Sequence, residues 1–258
     1  MPAETIDDVI HTLDEIIDWA WNQKSRTGYF AALYRRVTQS VKDGISQGRF
    51  QNGPLLEKLD VVFANRYLQA VEQFRAGQQS TLSWQVAFQT ASHWYPLVVQ
   101  HLLGGMNAHV NLDLGIAAAV CSSGEQIAGL QTDFNEINAV LAAEVGAVEQ
   151  EIAEVSPWIA LLEKFGLREE TKIINFSLTK ARDCAWSEAV KMAALSTSQM
   201  QTAINDLDLR VLMLGRLVVS PPLWIKLQLF PIRVREDNNI RRVLDVLAKK
   251  TATVTAPV

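Results

Sequence analysis

Three of the four histidines in this 258-residue chain fall within one segment, HWYPLVVQHLLGGMNAHVNLDLG, which runs from His93 to Gly115 and also carries Asp113. His109 and Asp113 are four residues apart. On a helix that spacing leaves them about 40° from each other, so an imidazole can meet a carboxylate on one face. Neutral imidazole and carboxylate are ordinary ligands for zinc, iron or manganese. The pair Gly104-Gly105 predicts a helix end, because glycine takes the left-handed C′ conformation without a Cβ clash. Asn107 can then cap the next helix. A corner there would bring His101, just before it, to His109, just after it. The expected site is a divalent metal held by His101, His109 and Asp113, with Asp133 or Asp60 completing it. Such a metal would activate water or dioxygen. A lone His–Asp pair also serves as a structural hydrogen bond, and that alternative stays open. His93, beside Trp94 and Tyr95, reads as a packing residue.

The charge distribution points to the same region. No lysine or arginine occurs from residue 76 to residue 163, while nine acids do: Asp113, Glu125, Asp133, Glu136, Glu144, Glu149, Glu151, Glu154 and Glu163. Either the glutamates form a solvated face, or the carboxylates gather around a cation, since unpaired carboxylates repel one another. Arg66 and Arg182 are the cations expected to face this segment. Asp60 falls on the apolar stripe Leu56, Phe63 and Tyr67, which predicts burial, and a buried carboxylate needs a partner. Asp60, Arg66 and Arg182 are therefore the candidate catalytic residues around the metal. A structural salt bridge between Asp60 and Arg182 is the competing reading.

The elements that must position these residues are helices. Ile6, Val9, Ile10, Leu13, Ile16, Ile17, Ala20 and Trp21 recur at spacings of three and four, behind a capping start at Thr5 and Asp8. Further helices are predicted over 28–46, from the Asn52-Gly53-Pro54 turn to about Phe74, from Ser83 with an interruption at Pro96, and over 126–155, ended by Pro157. Two more cover 168–195 and 199–217. Asn138 flanks the stripe of the 126–155 helix. Asn175, Arg182 and Trp186 share an edge of the next. After Pro221-Pro222 the run LWIKLQLF fits a strand, a short helix or a docking arm, and 238–249 a last short helix. The fold class expected is all-α, a single-domain multi-helix bundle over 1–220 with an irregular C-terminal tail. That tail comprises a docking arm and short helix over 221–250 and a disordered end, TATVTAPV, over 251–258.

Bulk composition narrows the function classes. Hydrophobic residues make up 48% of the chain, enough for a sizeable core. The net charge of -4, without a basic block, gives no nucleic-acid footprint. Two cysteines without CxxC or Cys/His clustering fit a reducing, cytoplasmic setting. The acidic, amphipathic start is no secretory signal, and no stretch suits a transmembrane segment. There is no GxSxG elbow, no cation flanking Cys121 and no phosphate-cradling glycine loop.

The blocks GYFAALYRRVT, LDVVFANRYL, HLLGGMNAHVNLDLGIAAAV and ARDCAW resemble an uncharacterised bacterial family of unknown function, to about residue 216. That resemblance implies a helical fold and no assigned activity. HLLGGMNAH is also similar to the His-Leu-Gly-Asp…His stretch of zinc-dependent phospholipase C and single-strand nucleases. Gly105 stands where those proteins have a metal-binding aspartate, so the resemblance implies at most a smaller metal site.

Three functions are expected, in this order. The first is a metal-dependent hydrolase or oxygenase acting on a small apolar or amphipathic substrate. The second is a metal-free helical protein that binds a small-molecule ligand. The third is a structural or interaction domain, with a homo-oligomer formed through the tail.

Overall fold

In the computed structural model, residues 2–157 and 170–249 are described. They form eleven α-helices, one π-helical stretch and one 3-10 stretch, and no strand occurs among the described residues. The all-α expectation holds. Helix α1 (Ile6–Gln23) opens on a capping box in which Thr5 and Asp8 exchange side-chain and backbone hydrogen bonds. Its apolar positions at three- and four-residue spacing are buried, Val9 and Leu13 completely. Helix α2 (Gly28–Ser46) packs along it. Helix α3 (Gly53–Arg75) starts where the Asn52 side chain accepts the Leu55 amide and Pro54 occupies the first turn.

Helix α4 (Leu82–Ala91) stops before Pro96, and α5 (Val98–Ala108) begins after it. Here the structure corrects the sequence reading. Gly104 and Gly105 do not end a helix. Neither has a positive φ, and α5 runs through both into a π-helical stretch, His109–Leu114, and on into α6 (Gly115–Cys121). The glycines serve close approach instead. A Cβ on Gly105 would lie 2.5 Å from the Phe30 ring, and one on Gly104 would lie 2.9 Å from Val219. Asn107 is no cap either: its side-chain amide donates to the Val211 carbonyl at 2.9 Å.

A 3-10 stretch, Gly124–Leu130, leads into α7 (Gln131–Val155), which ends before Pro157. Helices α8 (Glu170–Ala193), α9 (Thr197–Val219), α10 (Leu223–Arg233) and α11 (Ile240–Leu247) follow. The run LWIKLQLF is thus helical, in α10. The TATVTAPV end, Glu163 and the Asn175 side chain lie outside the described residues. Among those described, no helix is long and apolar enough to cross a membrane.

The buried side chains divide into two cores. One gathers α1, α2, the α3 positions Val61, Ala64 and Tyr67, and α11. The other gathers α6, α8 and the start of α7, with Leu56 and Leu59 of α3. Phe63 of α3 packs against both.

Candidate functional site

A cavity of about 400 Å³ opens beside Phe63. That volume suits a small organic ligand. Its walls come from α2 (Phe30, Tyr34), α3 (Leu56, Asp60, Phe63), α5 (Leu102, Leu103, Met106), the π-helical stretch (His109, Val110), α7 (Ile137, Val148) and α8 (Leu178, Arg182). The lining is overwhelmingly apolar. The exceptions are few: Tyr34, Asp60, His109 and Arg182, with Glu144 and Glu149.

His109 is the best-defined of these. Its ring lies flat on Phe63, with 3.6 Å between centroids and 10° between planes. The Tyr34 ring meets it edge-on at 4.4 Å. Behind it, Nδ1 faces Asp113 Oδ2 at 3.5 Å, as the four-residue spacing predicts. Asp113 is almost completely buried and held twice more: Arg66 Nε donates to Oδ1 at 2.7 Å, and Trp84 Nε1 donates to Oδ2 at 2.8 Å. A carboxylate can only accept, so the His109 proton belongs on Nδ1 and Nε2 is left as a bare acceptor. That Nε2 is buried and has no hydrogen-bond partner among the described residues. Burial holds the imidazole below its ordinary pKa, against the opposing pull of Asp113, and keeps it neutral.

Asp60 is buried as the stripe predicts, but among the described residues neither expected arginine pairs with it, and its Oδ2 has no hydrogen bond. Arg66 is committed to Asp113. Arg182 donates to the Asn138 side chain at 2.6 Å and the Phe134 carbonyl at 2.5 Å, and lies over the Phe134 ring. Burial, with a smaller push from Glu57, raises the Asp60 carboxyl to about 7. Burial likewise lowers Arg182, to about 10. The Tyr34 hydroxyl is also buried, with Thr38 beside it but no well-aligned hydrogen bond.

The four residues expected around a metal do not converge. His101 and His109 are eight positions apart on a continuous helix, a rise of about 12 Å. His101 sits in a separate cleft with Pro96, Arg233 and Glu236, edge-on to Tyr29. Burial, helped by Arg26 and Arg233, pushes its imidazole down to about 3. Asp133 accepts the Gln51 and Asn52 amides, both at 2.7 Å, and so fixes the turn before α3. Among the described residues no group of three His, Cys, Asp or Glu side chains is placed to hold a metal ion.

The acidic segment finds counter-charges on α2 and α3, in the loop between them, and at Lys249, which meets Glu151 at 3.5 Å. Arg36 pairs with both Glu144 and Glu151, Arg49 with Glu136, and Arg66 with Asp113. Sequence reading named Arg66 and missed Arg36, which lies inside an otherwise ordinary helical stripe. It also missed Tyr34 and Trp84. Trp84 alone carried a signal, since a buried indole N–H needs an acceptor.

The model of a family of unknown function, DUF5995, matches residues 6–221. None of the curated proteins and none of the solved structures matches the chain.

Proposed function

For this chain, which belongs to the DUF5995 family, we propose a small-molecule-binding function centred on the cavity between α2, α3, α5 and α7. The observation that carries it is the orphaned polar set on the wall of an apolar chamber: among the described residues, His109 Nε2 and Asp60 Oδ2 are buried without hydrogen bonds, and the buried Tyr34 hydroxyl has only a poorly aligned Thr38 beside it. An unpaired buried polar group costs about 1–3 kcal/mol, so three at one site favour a ligand that satisfies them. His109 Nε2 asks for a donor. Asp60 near neutrality offers either a donor or an acceptor. A compact apolar molecule carrying a hydroxyl or amine fits this set. Organic extraction of the purified protein, followed by mass spectrometry, tests the reading: a stoichiometric apolar molecule bearing such a group is expected.

A second reading makes the same chamber catalytic. Asp113 behind Nδ1 and a bare Nε2 in front give His109 the arrangement of a general base, with Asp60 as a proton donor below its pKa. A divalent metal would have to sit on the His109–Asp113 pair with donors brought by the ligand itself. Metal analysis of reconstituted protein distinguishes that case. We assign the chain to a reducing compartment, the cytoplasm, which two unpaired cysteines suit.

A further inference from the structure

The chain turns one helix stripe outward, and none of the described residues covers it. On α10, Leu223, Trp224, Leu227 and Phe230 are exposed, Leu223 by 72% and Trp224 by 62%, and so is Val234, which caps its end. At 100° per residue they fall, together with Pro231, within an arc of about 120°. Positions outside that arc hold α10 to the bundle. Tyr95 donates to the Lys226 carbonyl, and Arg233 is buried among the Trp94 carbonyl, Asn238 and Glu236. The stripe is therefore not a core face left open by loose packing. The preceding helix, α9, adds a parallel feature. Leu209, Met213 and Leu217, spaced by four, are also exposed. The Ser220-Pro221-Pro222 link joins the two helices.

The charges over the same stretch are all of one sign. From Leu209 to Arg235 the sequence carries Arg210, Arg216, Lys226, Arg233 and Arg235, and no aspartate or glutamate. Arg233 is tied inward to Glu236 and Arg210 to Glu188, which leaves Arg216, Lys226 and Arg235 beside the apolar rows. An apolar stripe holding a tryptophan and a phenylalanine, flanked by cations, has the composition of an element that lies in a lipid–water interface. The aromatic rings suit the headgroup level, and the cations suit anionic headgroups. No described helix can span a bilayer, so the contact would be one-sided. A second copy of the chain is the competing occupant. A two-fold interface pairs this face with itself, which would set Arg216, Lys226 and Arg235 against their own copies.

We propose that the outward stripe of α10, with the adjoining row on α9, docks the protein on an anionic lipid surface. This stands apart from the cavity and holds whether or not the cavity takes a ligand. Docking would place the bundle where apolar molecules are found.

The test is co-sedimentation of the full chain with vesicles of phosphatidylcholine, with and without phosphatidylglycerol. Wild-type protein should partition onto the anionic vesicles, less onto neutral ones, and less as salt rises. The variant Leu223→Gln/Trp224→Gln/Leu227→Gln should lose about tenfold or more of that partition, since three apolar side chains no longer leave water. The residues are exposed, so its circular dichroism should match the wild type. In unsubstituted protein, brominated lipids should quench part of the tryptophan fluorescence. Equal partition of wild type and variant, or no partition with no quenching, would overturn the proposal. So would a lipid-free dimer in sedimentation velocity that the triple variant abolishes, which would assign the face to a second copy.

Discussion

Gly105 lies directly beneath the ring of Phe30, so close that a Cβ would come within 2.5 Å of Phe30 Cγ. Phe30 in turn lines the cavity and meets His109 edge-on at 5.5 Å. The glycine thus sets how near α5 comes to α2, and so the shape of the chamber.

Gly105→Ala should be destabilising, although alanine is the better helix former. Overpacking of this kind costs about 1–3 kcal/mol, against roughly 1 kcal/mol gained in helix propensity. The atoms met are Cβ, Cγ and Cδ2 of Phe30, which cannot swing aside without moving the ring. Urea unfolding should show a lower midpoint. An unchanged or higher midpoint would mean that the two helices can separate freely.

The buried Asp60 gives a pH dependence with a defined sign. Its carboxyl is raised from an ordinary value near 3.8 to about 7, so the folded state keeps a proton that the unfolded state releases. Stability from this group is present below about pH 4 and declines as pH rises to about 7, by an amount on the order of 4 kcal/mol. Asp60→Asn keeps the shape and removes the titration. The variant should lose that decline and be more stable than wild type at pH 8. Parallel stability–pH curves for the two proteins would contradict the burial of an unpaired carboxyl.

The Arg66–Asp113 pair should behave as a half-buried salt bridge. Arg66→Met leaves Asp113 charged and buried, with only Trp84 and His109 to face it. Removing one partner of a buried pair costs about 3–5 kcal/mol. The lower end is expected here because Arg66 is partly exposed. A loss below about 0.5 kcal/mol, typical of a surface site, would show that Asp113 is satisfied without it.

Much of the scaffold was legible in the residues. The sequence pattern located every described helix longer than fifteen residues, and the four-residue step from His109 to Asp113 gave a true contact. The stripe position of Asp60 gave its burial. The failures share one cause, which is that partners distant in sequence leave no local trace. Gly104 and Gly105 carry the composition of a helix end, yet Phe30 and Val219 are what they answer to. Glu144 and Glu151 looked unpaired because Arg36 lies more than a hundred residues away. The cavity needs walls from six segments, so no single stretch could announce it.

The most direct measurement is a one-site titration of the full chain with the uncharged fluorescent probe N-phenyl-1-naphthylamine. The chain carries Leu223→Gln/Trp224→Gln/Leu227→Gln, so that the outer stripe takes no probe, and is titrated with the chamber unaltered (the wild type below) and with Met106→Trp/Val110→Phe, which fills it. The wild type should bind one probe per chain. The filled variant should lose about tenfold or more in affinity, since the occupied volume no longer admits the ring system. His109→Phe, which keeps the stack on Phe63 and removes the bare Nε2, should spare probe binding yet abolish retention of any hydroxyl- or amine-bearing molecule extracted from the wild type. Equal probe affinity in wild type and filled variant, or no saturable binding by either, would show that the chamber is not a ligand site.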